Sequence, residues 1–97
     1  MPFFAVTYTY TDDRARQDEV RPEHRAFLRG LVDQGLLFAS GPLLGTDPGQ
    51  ALLVLKADDA DEVVAALDAD PFHLQGQIRE RNVQQWNPVV GALADQA

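Results

Sequence analysis

The sequence predicts an α+β fold, a four-stranded antiparallel sheet with helices on one face in the ferredoxin-like order βαββαβ. Three observations lead there: an alternating apolar run near the start, two helix-length segments bounded by Pro, Asp and Gly signals, and two short apolar runs between the helices. In residues 3–10, Phe4, Val6, Tyr8 and Tyr10 share one face and Phe3, Ala5, Thr7 and Thr9 the other, as in a strand. Thr11 to Glu19 carries six charges and almost nothing apolar, and so reads as a solvated loop. Pro22 suits a first helical turn and Gly35 the position after a last one, predicting a helix from Arg21 to Gln34. Leu36–Ser40, closed by Gly41-Pro42, and Gln50–Ala57, opened by Thr46-Asp47-Pro48-Gly49, predict a hairpin. Asp58 is the expected cap of a second helix that buries Val63, Val64, Ala66 and Leu67. Asp70-Pro71-Phe72 repeats the cap-plus-proline start, predicting an extra turn as far as Gly76. The last strand is expected within Gln77 to Gln85, with Trp86 to Val90 leaving the sheet and Gly91 to Ala97 a frayed tail. Each helix then acts as a right-handed crossover between parallel neighbours, which puts both on one face.

Composition narrows the function classes. A chain of 97 residues supports one core, so residues 1–97 are expected to form a single domain. No apolar run approaches the roughly 20 residues of a membrane span, and the amino terminus lacks the basic and apolar segments of a secretory signal. A cytoplasmic location is expected, with no membrane partner. The absence of cysteine excludes disulfides, thiolate metal sites and thiol nucleophiles, and two histidines leave little for a metal. Neither a metal nor a cofactor is expected. A net charge of -7 disfavours nucleic acid as a partner. The sheet face that carries Phe3 and Ala5 is too apolar to stay in water, and predicts a homodimer packed sheet to sheet.

Winding the first helix at about 100° per residue places His24 amid Val20, Phe27, Leu28 and Leu31. An inward histidine is either a satisfied core residue or an acid–base group, and the second role needs a carboxylate to orient the ring. Asp70 is the best candidate of eleven aspartates, because it starts a turn on a crossover beside the first helix. Its ordinary role is an N-cap, compatible with a second bond to a ring nitrogen. Arg21, Arg25 and Arg29 recur every fourth residue at the border of the buried arc, the pattern of a solvated stripe. Arg21, closest to His24, could hold an anionic substrate group. His73 reads as a surface residue. No phosphate-binding glycine loop, nucleophile elbow or metal-ligand spacing is present.

Arg21-Pro22-Glu23-His24 followed by Phe27-Leu28, then Gly35, Ser40-Gly41-Pro42 and Asp70-Pro71-Phe72, in this order over almost the whole chain, resembles the YciI-like family. The resemblance implies a dimeric α+β barrel with an active site on a histidine and an aspartate, carried over to His24 and Asp70. It further implies a pocket lined by Ser40, Gly41 and Pro42, with Phe72 beside the aspartate as a substrate-binding residue. Some family members resemble enzymes of aromatic-compound breakdown, including a dehydrochlorinase of a chlorinated hydroxyquinol. The charged 11–19 segment and a tail without basic residues depart from the family pattern. The expected function is a cofactor-independent proton transfer or elimination on a small cyclic or aromatic compound (lyase, isomerase or dehydrochlorinase-like). A ligand-binding dimer without catalysis and a purely structural dimer are the alternatives.

Overall fold

A computed structural model describes residues 1–96. In chain order it contains β1 (Phe3–Tyr10), α1 (Arg14–Asp33), β2 (Leu37–Leu43), β3 (Gln50–Lys56), α2 (Ala60–Leu67), α3 (Pro71–Leu74) and β4 (Ile78–Trp86). The sheet order is β2-β3-β1-β4 with every neighbouring pair antiparallel, which is the ferredoxin-like arrangement. The strands joined by a helix are parallel but not adjacent, contrary to the expectation of parallel neighbours. β3 lies between β1 and β2, and β1 between β3 and β4.

Period-two alternation decides what faces what. Phe4, Val6 and Tyr8 point to the helices and meet Leu28 and Leu31 of α1 and Val63 and Leu67 of α2 in one core. Their partners on β3, Leu55, Leu53 and Ala51, share that face. Phe3 faces the other way, yet it is fully buried within the chain, edge-on to Phe38 at 5.0 Å and beside Trp86. Leu43 and Leu52 stay more than one-third exposed on that outer face.

The first helix differs most from expectation. It starts at Arg14, so most of the segment expected to be a loop is helical and Pro22 lies inside the helix. Asp13 makes the earlier start possible: its carboxylate accepts the Arg16 N–H at 3.1 Å. Gln17, three residues before Val20 and seven before His24, extends the buried stripe into the segment whose charges conceal it. Pro22 removes the N–H that would reach the Asp18 carbonyl, but both residues are exposed and water can serve there. Gly35, at φ +79°, closes the helix in the left-handed conformation, with Leu36 N–H donating to the Leu31 carbonyl.

Smaller corrections follow the same logic. β2 runs through Gly41-Pro42 to Leu43, because an edge strand tolerates a proline that donates to no neighbour. The cap of α2 is Asp59, not Asp58, since Asp59 accepts from Glu62 N–H while the Glu62 side chain accepts from Asp58 N–H. Trp86 stays in the sheet opposite Phe3, held by their contact. The expected frayed tail forms a 3₁₀ turn at Ala94–Gln96, and Ala97 lies outside the described residues. Among the described residues no helix is long and apolar enough to cross a membrane.

The start of α1 at Arg14 makes a specific prediction. Asp13→Ala is expected to destabilise the protein by about 1 kcal/mol, because it removes an N-cap. Urea unfolding checks this as a lower midpoint at unchanged slope. A helix beginning at Arg21 would leave Asp13→Ala neutral.

Candidate functional site

Asp70 sits between α2 and α3 as the N-cap of α3. It has no exposed surface, so its carboxylate must find all its hydrogen-bond donors inside the protein. It finds three. Oδ1 accepts the Phe72 N–H at 3.0 Å and lies 2.8 Å from His24 Nδ1, and Oδ2 accepts the Tyr8 hydroxyl at 3.0 Å. Cap and histidine partner are thus one residue, as the sequence suggests.

His24 is held from two sides. The Asp70 carboxylate can only accept, so Nδ1 carries the proton and Nε2, across the ring, presents a lone pair in the neutral form. Phe72 stacks on the imidazole with centroids 4.0 Å apart and planes 16° from parallel. The capping bond from Asp70 to Phe72 N–H positions the stacking ring as well. His24 is 7% exposed, and the surface it keeps opens onto a cavity of about 400 Å³, at the small end of ligand sites.

Every site residue expected from the sequence reaches this cavity or the floor beneath it. His24, Phe72 and Leu28 form its inner end, and Arg21 lines one side in an ion pair with Asp18. Ser40, Gly41 and Pro42 of β2 form the opposite wall. A register shift between Leu37 and Ala39 makes that wall possible. Leu37 pairs with Leu55 and Ser40 with Leu53, both core-facing on β3, so the bulge turns Ser40 to the helix side. His73 is exposed, 3.8 Å from Asp68, as a surface residue should be.

Sequence reasoning missed Tyr8 as the third partner of Asp70, and Tyr10, Arg25 and Arg29 as cavity lining. The signal for Tyr8 was present, because a hydroxyl on a core-facing strand needs a buried acceptor. Arg25 and Arg29 are exposed, as expected of a solvated stripe, yet both line the mouth of the cavity, and neither forms an ion pair among the described residues. Among the described residues, no three His, Cys, Asp or Glu side chains converge into a group that could hold a metal ion.

Burial, then the Asp70 carboxylate, oppose ionisation of both tyrosines. The Tyr8 phenol is raised far above its ordinary range, and Tyr10 is pushed up to about 12 although Arg21 pulls the other way. Arg81, opposite Tyr8 on β4, also favours the phenolate but is outweighed.

A ferredoxin-like chain with a buried carboxylate–imidazole pair opening on a ligand-sized cavity is a recognisable class of small α+β protein. The YCII-related domain model matches residues 1–87, and the chain belongs to that family. No curated protein matches it. Among solved structures, it is similar to 5-chloro-2-hydroxyhydroquinone dehydrochlorinase (TftG) from Burkholderia phenoliruptrix AC1100, in complex with 2,5-dihydroxybenzoquinone. The TM-score is 0.75 at 22% identity, over 88% of this chain and 93% of that one. An antibiotic biosynthesis monooxygenase aligns with TM-score 0.59 at 14% identity, covering 93% and 100% of the two chains. SnoaB, a cofactor-independent oxygenase from Streptomyces nogalater, aligns at 0.50 and 18% identity, covering 92% and 93%. At these identities the likeness establishes the fold.

The raised tyrosines predict an alkaline limit to stability. A folded-state pKa above the unfolded value of 10.0 contributes stability that is complete below pH 10 and is lost as pH rises through about 12 for Tyr10, and higher for Tyr8. Since the chain has two tyrosines, its near-ultraviolet tyrosinate absorbance is expected to stay low past pH 10 and then rise together with unfolding. Half-titration at pH 10 in the folded state would contradict this environment.

Proposed function

We propose that the protein is an enzyme that moves a proton on a small cyclic or aromatic compound, or eliminates a leaving group from it, with His24 as acid–base and Asp70 as its orienting partner. The observation that carries this reading is the 2.8 Å contact from His24 Nδ1 to Asp70, with the other ring nitrogen left to a cavity. Proton abstraction needs an unprotonated nitrogen facing substrate and a carboxylate behind the ring to stabilise the imidazolium, as in the His–Asp half of a catalytic triad.

In an elimination, Nε2 takes a proton from the substrate and the released electron pair forms a new π bond. The bond to the leaving group breaks, and that group departs with its own electron pair. The sum is substrate to product plus the acid of the leaving group, and His24 returns its proton to water. In an isomerisation the same nitrogen gives the proton back at another atom. Neither course calls for an oxidant. Phe72 and Leu28 offer a ring an apolar floor, Arg21 an oxyanion partner, and Ser40, Gly41 and Pro42 a facing wall. The name of one structural relative supports this class: TftG is a dehydrochlorinase in complex with a dihydroxybenzoquinone.

The working unit in this proposal is a homodimer packed through the outer sheet face. Phe38, Leu43, Leu52 and Trp86 are each 37–41% exposed there, an apolar area whose burial favours association. Light scattering at micromolar concentration is expected to give twice the mass of the chain, and a monomeric mass would remove the dimer from the proposal.

The chemistry is tested by supplying hydroxylated and chlorinated single-ring compounds and following carbon-bound deuterium exchange and chloride release. His24→Gln is expected to lower turnover by about 10²-fold or more, while ligand binding, read by thermal shift, persists. Unimpaired turnover in His24→Gln would overturn the assignment. Binding without exchange or elimination in any compound would support the ligand-binding module instead.

A further inference from the structure

Two rows of α1 face the cavity. His24 and Leu28 form one, and Arg21, Arg25 and Arg29 form the other, stepping about 6 Å along the helix at each interval of four residues. Like charges at this spacing repel one another on a helix. Among the described residues the repulsion is relieved only at one end, where Arg21 pairs with Asp18. Asp33 follows Arg29 by four residues, the spacing at which a helical ion pair forms, yet no ion pair joins them.

The charge distribution is lopsided. Eight bases stand against fifteen acids in the whole chain, but three of those bases and none of the acids line the cavity. The opposite wall offers Ser40, Gly41, Pro42, Ala51 and Leu53, with no carboxylate to compete for the arginines. The carboxylate of Asp70 is fully buried and occupied by three donors. A cleft with one sign of charge and low-dielectric walls concentrates ligands of the opposite sign, and guanidinium groups match the two-oxygen geometry of carboxylates.

We propose that Arg25 and Arg29 form an anion-binding arm of the cavity, and that its ligand is a single-ring compound bearing a deprotonated oxygen group, either a carboxylate or a ring oxyanion. The oxyanion lies against the α1 arginines while the ring reaches the apolar floor beside His24. Placing the ring over His24 rests on the proposed function, whereas selection by charge does not.

Titration calorimetry with three probes tests the arm: 2,5-dihydroxybenzoate, its uncharged methyl ester, and 2,5-dihydroxybenzoquinone, whose ring hydroxyls are acidic. At low ionic strength one or both acids are expected to bind at least about tenfold tighter than the ester, and the ratio should shrink as salt is raised toward 0.5 M, roughly where screening acts within one side-chain length. The tighter acid identifies the oxyanion as carboxylate or ring oxygen. The double variant Arg25→Gln, Arg29→Gln should reduce the preference to about twofold, leaving ester affinity unchanged. Arg14→Gln, an exposed arginine of the same helix outside the cavity, should change nothing. Equal binding of ester and acids, a preference that survives the double variant, or no binding by any probe at millimolar concentration would each overturn the proposal. Charge preference without exchange or elimination would defeat the proposed function alone, and turnover without charge preference would defeat the anion arm alone.

Discussion

The structure depends on one carboxylate with no access to water. A buried charge costs several kcal/mol unless its hydrogen bonds are made inside the protein, and Asp70 makes three, to three different parts of the fold. Tyr8 brings β1, His24 brings α1, and Phe72 N–H brings the short α3 that Asp70 itself begins. Four residues of helix could not persist alone, since nucleation is unfavourable and one turn regains little. Here α3 is fixed by its cap and by Phe72, which is 2% exposed against His24 and Tyr10.

Around that carboxylate lies a polar seam at the junction of α1 and α3. Gln77, buried, accepts the Thr11 hydroxyl at 3.0 Å, and Gln17, also buried, donates to the Thr11 carbonyl at 2.9 Å. These bonds tie the end of β1 and the first turns of α1 to the segment after α3. The imidazole therefore has a rigid frame on its Asp70 side and an open edge on its cavity side. That asymmetry is what acid–base chemistry requires of a side chain, since reactivity depends on an orientation maintained while one nitrogen stays accessible.

Electrostatics divides the molecule in the same way. The chain is acidic overall, and most of its carboxylates are exposed and solvated. The cavity breaks the pattern with arginines along one helix and small or apolar residues on the facing strands. A single bulge in β2 matters here, because without the extra residue at Leu37–Ala39 the Ser40 side chain would point to the outer face and the cavity would lose a wall. Of the large apolar side chains that remain exposed, Phe38, Leu43, Leu52 and Trp86 share that outer face.

The sequence by itself determined the strand alternation of residues 3–10, the βαββαβ order, the inward direction of His24 and the cap at Asp70-Pro71. Each of these is written in local periodicity or in a short-range hydrogen bond, and both act over only a few residues. Tertiary structure decided the rest. The segment 11–19 reads as loop because its charges outnumber its apolar residues, and most of it became helix because Asp13 caps it and Gln17 found burial and a hydrogen bond to Thr11. Pro22 and Pro42 mark boundaries in local terms, yet one sits inside α1 and the other inside β2, where solvent and a sheet edge remove the need for their missing N–H. The 46 residues between His24 and Asp70, and the 62 between Tyr8 and Asp70, are spanned only once the crossovers pack on the sheet. Which aspartate meets the histidine is a property of that packing, because no local rule distinguishes a cap that faces water from one sealed beneath a tyrosine.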